Sequence, residues 1–261
     1  RRTLTRFLTT SIWGELMRVV GVDEAGRGPC IGPLFVGAFA IPEVDLHHLD
    51  ELGVTDSKRL RPAQRESMDA ELRRRASQRG WGMAVHPLVP TDIDAAVQEQ
   101  GLNRLEVKGF VEAIRTLWLD GEGHHLVLDA CDVDAARFGR NVVAGLAEHR
   151  LTPVNVESKH RADADHRVVG AASIVAKVAR DAWVRDFIDR TGIDIGSGYP
   201  SDPKMKQALP ELLREDQPHP ALRWSWATTT RAWGAMHEGP MPVRTSTGTS
   251  VQQRLFDPPS S

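Results

Sequence analysis

The stretch Met17-Arg-Val-Val-Gly-Val-Asp-Glu-Ala-Gly-Arg-Gly28 places two adjacent carboxylates and a glycine-rich turn directly after a short apolar, β-branched run. Such a run predicts a buried strand over residues 17–23. A second apolar run over residues 32–41 is bounded by Pro33 and Pro42. Two neighbouring core strands joined by a glycine-rich turn are the simplest interpretation.

Apolar strand patterns and amphipathic helical patterns alternate downstream of this pair. Helices are predicted over residues 62–78, 102–119, 133–147 and 169–187, and strands over residues 81–87, 125–128 and 152–156. This interleaving predicts an α/β domain with a central mixed β-sheet flanked by helices. After Gly198 the composition is typical of a loop up to Trp224, Trp226 and Trp233, which we expect to pack back onto the core as a C-terminal helical segment.

Composition limits the classes of protein that this chain can be. The 261 residues, 41% of them hydrophobic, suffice for one domain with appendages. The net charge of −2 gives no positive field over the whole molecule, so a nucleic-acid partner would have to be held by local patches. Cys30 and Cys131 have no metal-binding spacing, and no apolar run approaches the roughly 18 residues of a membrane span. These features predict a cytoplasmic protein without a disulfide framework or a zinc site.

The two ends of the chain differ from its middle. Residues 1–16 are basic and lack the apolar core of a secretory signal, so we interpret them as an N-terminal extension and Met17 as a candidate start. The main domain is predicted over residues 17–237. Residues 238–261 have little to bury and are predicted to form a flexible tail.

Four acidic residues stand where predicted strands end or helices begin: Asp23, Glu24, Asp129 and Asp163. In α/β sheets such strand ends build the functional site. A lone Asp at a strand end is more often a cap or a turn residue. The adjacent pair is more telling, because neighbours in a strand face opposite sides, and Glu24 at the turn can swing towards an ion bound by Asp23.

Clustered carboxylates repel one another unless a cation neutralises them. Oxygen ligands without His or Cys select Mg²⁺ or Mn²⁺. Two such ions can activate water and stabilise the leaving oxygen in phosphodiester cleavage. The four acids are therefore predicted to be both metal ligands and catalytic residues.

Five blocks of sequence resemble, in order, the successive motifs of ribonuclease HII across roughly residues 18–233. They are Gly21-Val-Asp-Glu-Ala-Gly-Arg-Gly-Pro29, Thr55-Asp-Ser-Lys-Arg-Leu60, Leu128-Asp-Ala130, Ala171-Ala-Ser-Ile-Val-Ala-Lys-Val-Ala-Arg-Asp181 and Gly198-Tyr-Pro-Ser-Asp-Pro203. Five ordered blocks are far more specific than any one of them. The tight spacing and the last block resemble archaeal members of the family.

The resemblance implies a ribonuclease H-like fold and a Mg²⁺- or Mn²⁺-dependent endonuclease. Such an enzyme cuts the RNA-containing strand of RNA/DNA hybrids and cuts 5′ of single ribonucleotides in duplex DNA, leaving 3′-hydroxyl and 5′-phosphate ends, and so removes ribonucleotides from DNA. Asp23, Glu24 and Asp129 match three metal-binding acids of the family. Asp163 fits the spacing of the fourth, with Asp165 as its competitor.

Two features are predicted to recognise the substrate. The turn Gly26-Arg27-Gly28 lets backbone N–H and C=O groups approach a ribose 2′-hydroxyl, although an isolated turn of this kind would be read as a tight connection between strands. Tyr199 lies in a Gly/Pro/Ser loop, where packing on the core is the alternative to stacking on a sugar. By resemblance, Tyr199 packs against the deoxyribose that follows the ribonucleotide.

Lys58, Ser173 and Lys177 are candidate phosphate contacts, with Ser173 expected to open a helix whose amides favour anions. Arg65 is interpreted as part of a solvated helix face. The tail segment Gln252-Gln-Arg-Leu-Phe256 resembles short peptides that dock on sliding clamps, with featureless disorder as the alternative. We expect a monomer.

Two competing functions are less well supported. Ribonuclease HIII shares the acids but normally carries an additional N-terminal substrate-binding domain, which the sixteen residues before Met17 cannot form. A non-catalytic nucleic-acid-binding module on the same scaffold would be expected to have lost acids, and all four are present.

Overall fold

The computed structural model describes residues 17–54, 60–99 and 101–244. Within these ranges five strands form one sheet in the order β3-β2-β1-β4-β5. The strands are β1 (Met17–Ala25), β2 (Leu34–Pro42), β3 (Gly82–Leu88), β4 (Gly123–Asp129) and β5 (Asn155–Lys159). The β1–β2 and β2–β3 pairs are antiparallel, whereas β1–β4 and β4–β5 are parallel. The predicted mixed sheet is confirmed.

Helices cover both faces of the sheet. In the described ranges they are α1 (His47–Glu51), α2 (Pro62–Arg79), α3 (Pro90–Glu99), α4 (Leu102–Thr116), α5 (Ala135–Glu148), α6 (Ala162–Asp165), α7 (Arg167–Thr191), α8 (Pro203–Leu212) and α9 (Ala227–Met236). One face packs against α4 and α5 through residues such as Phe110 and Phe138. The other face packs against α1, α2 and α7, and none of the described helices is long and apolar enough to cross a membrane.

Helix α7 lies unusually close to the sheet because two strand positions lack a side chain. A Cβ atom at Gly21 would lie 2.4 Å from the carbonyl carbon of Val168, and one at Gly37 would lie 2.4 Å from the carbonyl oxygen of Ala172. Asp23 follows Gly21 by two residues and so faces the same side of β1. This close packing brings the middle of α7 against the end of β1.

The C-terminal segment forms a third apolar cluster around Phe187, Met205, Leu209 and Trp233. Trp224 and Trp233 are buried there and Trp226 is half-buried, which confirms that this region packs back onto the body. Helix α8 was not predicted, because its sequence follows a stretch of loop-like composition and contains Pro210, a residue that is disfavoured inside a helix. Asp202 caps α8 by accepting a hydrogen bond from the Lys204 N–H, and Pro203 occupies the first turn.

Two predicted boundaries also differ from the structure. Strand β5 begins at Asn155 rather than at residue 152, and its second half is polar because β5 is the edge strand of the sheet. The predicted tail includes Arg244, but this side chain is 9% exposed and pairs with Asp94 at 2.9 Å. The chain therefore still contacts the folded domain at Arg244, beyond the domain boundary predicted at residue 237. Residues 1–16 and 245–261 lie outside the described ranges, so the extension and the rest of the tail stay predictions.

Candidate metal centre

Three carboxylates meet at one end of the sheet because of the strand topology. Strands β1 and β4 are parallel, with Val22 opposite Leu128, so the next residues, Asp23 and Asp129, come out at the same edge. Asp163 reaches this edge from α6, directly after β5. One oxygen from each of the three carboxylates lies within 4.8 Å of the others.

The cluster is largely shielded from solvent. Asp23 is 5% exposed and Asp163 is 2% exposed, while Asp129 is half-buried. Oδ1 of Asp129 accepts a hydrogen bond from the N–H of Ala162, which fastens α6 to the end of β4. Three buried or half-buried carboxylates at this spacing fit a hard divalent cation, since oxygen ligands suit Mg²⁺ or Mn²⁺ and the cation offsets their repulsion.

The raised pKa of Asp23 shows which unfavourable effects of burial and charge a bound cation would offset. Burial, followed by the charge of Asp129, raises the pKa of Asp23 from 3.8 to about 7. A hydrogen bond from Ser173 and the charge of Lys177 oppose this rise. Without a metal, Asp23 therefore keeps its proton to a much higher pH than an exposed aspartate does.

This raised pKa gives a pH dependence of stability. Between pH 3.8 and about 7 the folded metal-free protein binds more protons at Asp23 than the unfolded chain does, so its free energy of unfolding falls as pH rises. We expect the melting temperature in the presence of a chelator to fall over this interval, and to fall less in Asp23→Asn. Thermal unfolding at a series of pH values measures both, and identical slopes for the two proteins would refute the expectation.

Glu24 lies beside the cluster without joining it. It is half-buried on the next position of β1, and its N–H donates to Oδ1 of Asp23 at 2.8 Å. Burial, then the charges of Asp23 and Glu106, raises its pKa well above the ordinary value. The prediction that the Glu24 side chain swings towards the same ion stays a prediction.

The two candidates for the fourth acid occupy different environments. Asp163 is in the cluster, whereas the side chain of Asp165 is 66% exposed and pairs with Lys159 at 3.2 Å. We expect Asp163→Asn to weaken Mn²⁺ binding strongly and Asp165→Asn to leave it almost unchanged. Isothermal titration with Mn²⁺ distinguishes them, and equal losses in the two variants would reverse the assignment.

The Gly26-Arg27-Gly28 turn lies beside the carboxylates, and the contacts of the Arg27 side chain hold it in place. The Arg27 side chain donates to Oδ1 of Asn103 in α4 and to the carbonyl oxygen of Cys131 in the loop after β4, both at 2.5 Å. It also pairs at 3.3 Å with Glu106, which is fully buried and whose pKa burial raises to about 7. The Arg27 side chain thus anchors the turn.

Tyr199 lines the same cleft and lies next to the turn. It is 39% exposed, and a Cβ atom at Gly28 would lie 2.8 Å from its ring. The Arg180 guanidinium sits 5.3 Å from the ring centroid and donates to the carbonyl oxygen of Ser197. The cleft has a volume of about 570 Å³ and is lined by Asp23, Glu24, Ala25, Gly26, Arg27, Gly28, Arg65, Asp129, Ala130, His160, Arg161, Lys177, Arg180, Asp181 and Tyr199.

The structure corrects the expectation for Ser173, one of the three candidate phosphate contacts. Ser173 does not open a helix, since α7 begins at Arg167, and its side chain is fully buried. Its hydroxyl accepts a hydrogen bond from Nζ of Lys177 at 3.1 Å and bonds to Asp23, so it supports the carboxylates instead of meeting a phosphate at the surface. Lys177 lines the cleft, and Lys58 lies outside the described residues.

Sequence reasoning missed two arginines of the site. Arg65 is only 15% exposed and pairs with Asp181 at 2.7 Å in the wall of the cleft, so it does not belong to a solvated face. Arg223 is fully buried and donates to three carbonyl oxygens around the glycine turn. The only sequence signal for Arg223 was its position beside Trp224 and Trp226, which suggested packing alone.

A ribonuclease H-like sheet with a carboxylate cluster at the ends of β1 and β4 defines a class of metal-dependent nucleases. The family profile of ribonuclease HII matches residues 20–229, and the chain belongs to that family. It is 39% identical over 218 residues to ribonuclease HII of Methanococcoides burtonii, covering 82% of this chain and 99% of the relative. The chain is therefore a divalent-metal-dependent endoribonuclease that acts on RNA/DNA hybrids.

Two solved structures support the same assignment. The ribonuclease H2 of Pyrococcus horikoshii OT3 superposes with a TM-score of 0.73 at 35% identity, covering 85% of this chain and 100% of that one. The ribonuclease HII in the complex with PCNA from Archaeoglobus fulgidus gives a TM-score of 0.68 at 30% identity, covering 82% of this chain and 96% of that one. The archaeal relatives agree with the motif details of the sequence.

Proposed function

We propose that this enzyme cuts on the 5′ side of a single ribonucleotide in duplex DNA, leaving 3′-hydroxyl and 5′-phosphate ends, with two divalent ions held around Asp23, Glu24, Asp129 and Asp163. One observation carries the proposal. Asp23 and Asp129 share one cleft of about 570 Å³ with the glycine turn and Tyr199, and Asp163 lies within 4.8 Å of these two carboxylates. A nuclease for embedded ribonucleotides needs a metal site for hydrolysis and polar groups that sense the 2′-hydroxyl.

Some residues of the cleft serve the hydrolysis, and others position the substrate. Bound Mg²⁺ or Mn²⁺ would activate water and stabilise the leaving oxygen. Asp23, Asp129 and Asp163 supply negative oxygen ligands, while Ser173 and Lys177 hold Asp23 from α7. The turn at residues 26–28 presents backbone to the sugar, since residues without Cβ allow close approach.

The proposal is tested with a duplex whose labelled strand contains one ribonucleotide in DNA, incubated with Mg²⁺ or with Mn²⁺. We expect a single cut on the 5′ side of that nucleotide, and an all-DNA duplex is the matched control. Cleavage of a continuous RNA/DNA hybrid without any cut at the isolated ribonucleotide would overturn the proposal and leave the family assignment intact.

Tyr199 is proposed to contact the deoxyribose that follows the ribonucleotide. Removing the ring in Tyr199→Ala deletes an aromatic contact of roughly 1–3 kcal/mol, which corresponds to about 5- to 150-fold in kcat/KM for the single-ribonucleotide duplex. We expect a smaller loss on a continuous hybrid, where this sugar is a ribose. Equal losses on the two substrates would show that Tyr199 does not read the junction.

A sliding clamp is proposed as a partner of the segment Gln252–Phe256, which lies outside the described residues. The support is the sequence pattern together with the PCNA complex solved for the Archaeoglobus fulgidus relative. Pull-down with a clamp should be lost in a Leu255→Ala, Phe256→Ala double variant. Unchanged clamp binding by that variant would remove the proposal.

A further inference from the structure

We propose that Arg223 is a positioning residue, which sets the orientation of the turn at residues 26–28 so that its N–H groups face the ribose. The inference deepens the proposed function and rests on it. The carrying observation is that one buried guanidinium binds two carbonyl oxygens of the turn, those of Gly26 and Arg27, and the carbonyl oxygen of Gly32 beyond it.

The guanidinium of Arg223 donates hydrogen bonds through all three of its nitrogen atoms. Nη2 donates to the carbonyl oxygen of Gly26 at 2.6 Å, Nη1 to that of Arg27 at 2.9 Å, and Nε to that of Gly32 at 2.9 Å. Gly26 and Gly32 have positive φ values of 91° and 82°, so the backbone curls around the guanidinium. The planar fork of Arg suits this geometry, whereas the single ammonium of Lys cannot reproduce it.

Because peptide groups are planar, these contacts fix the orientation of residues 26–28. Within a trans peptide, the N–H points opposite to the C=O. The carbonyl of Gly26 faces Arg223, so the N–H of Arg27 points away from it. In the same way, the inward carbonyl of Arg27 directs the N–H of Gly28 outward. The turn therefore directs the N–H groups of Arg27 and Gly28 away from Arg223, and these are the donors that it would offer to a 2′-hydroxyl.

Arg223 is itself fixed by its neighbours. Its N–H donates to the carbonyl oxygen of Cys30 at 2.9 Å. The following residues, Trp224 and Ser225, donate their N–H groups to the carboxylate of Asp94 at 3.0 and 2.9 Å. Asp94 is 2% exposed and also pairs with Arg244. A continuous set of hydrogen bonds thus runs from α3 to the turn.

The test compares Arg223→Lys with Arg231→Lys, an exposed arginine of α9 that serves as the matched control. In Arg223→Lys we expect kcat on the single-ribonucleotide duplex to fall by about tenfold or more, because small misplacements of the substrate are costly. We expect KM to change little, because phosphate contacts dominate duplex affinity. Mn²⁺ affinity should be unchanged, and hydrogen exchange should accelerate in residues 26–32.

Three outcomes would overturn the inference. They are a folded Arg223→Lys enzyme with the kcat of the control, a parallel loss of Mn²⁺ affinity, and unchanged hydrogen exchange in the turn. If wild type fails to cut at the single ribonucleotide, the proposed function falls, and the hydrogen-exchange comparison still decides whether Arg223 holds the turn.

A second variant covers the case in which Arg223→Lys does not fold. Nε1 of the half-buried Trp226 donates to the carbonyl oxygen of Gly28 at 3.3 Å, and its ring lies 4.9 Å from the Arg223 guanidinium. Trp226→Phe keeps a ring and removes this donor. We expect a smaller fall in kcat with the same change in hydrogen exchange, and wild-type values for both would overturn the inference.

Discussion

The variant Asp23→Asn is expected to lose hybrid cleavage almost completely while still binding the duplex. Asp23 is central to the carboxylate cluster, and the amide removes the negative charge that a divalent cation needs. Metal stabilisation of the transition state is worth several kcal/mol, so the rate should fall on the order of a thousandfold. Single-turnover cleavage and duplex binding by fluorescence anisotropy measure the two effects separately.

The control for this variant is Asp186→Asn. Asp186 lies on the exposed part of α7 and pairs with Arg190 at 2.7 Å, so the same chemical change is made at a surface position outside the cleft. We expect wild-type rates from it. Substantial cleavage by Asp23→Asn, or loss of duplex binding together with activity, would contradict the assigned role of Asp23.

The variant Gly21→Ala is expected to destabilise the protein strongly although it adds only one methyl group. Its Cβ would lie 2.4 Å from the carbonyl carbon and 2.5 Å from the carbonyl oxygen of Val168, and helix backbone cannot rotate away as a side chain can. Overpacking of this kind costs about 1–3 kcal/mol, which lowers the melting temperature of a domain of this size by roughly 2–4 °C per kcal/mol. Displacement of α7 should also reduce cleavage, because α7 carries Ser173 and Lys177.

Gly234→Ala is the matched control for this prediction. Gly234 lies within α9, and a Cβ atom there would meet nothing within 4 Å. Alanine in a helix is favoured over glycine by about 0.5–1 kcal/mol, so the melting temperature should stay level or rise slightly. An unchanged melting temperature and rate in Gly21→Ala would show that α7 does not depend on this close approach.

The sequence predicted the acids of the site better than their surroundings. Asp23 and Asp129 end apolar runs, and strand ends are sites of function in α/β sheets, so local patterns sufficed to find them. Asp163 required the family spacing, since α6 is a four-residue helix without a periodic signal. Their convergence within 4.8 Å depends on the parallel β1–β4 pairing, which a local pattern does not encode.

Contacts between distant parts of the chain could not be predicted. The direction of the Arg27 side chain depends on Glu106 in α4, and the role of Arg223 depends on carbonyl groups about two hundred residues earlier. Ser173 was misassigned because α7 begins six residues before it, at Arg167. In each case a tertiary contact, rather than local composition, decides what the side chain does.

Anomalous diffraction from crystals soaked in Mn²⁺ tests the metal centre most directly. We expect a peak within bonding distance of carboxylate oxygens of Asp23, Asp129 and Asp163, and no such peak in Asp23→Asn crystals treated in the same way. A hybrid-cleaving enzyme whose Mn²⁺ peaks all lie away from these three residues would contradict the assignment of the site.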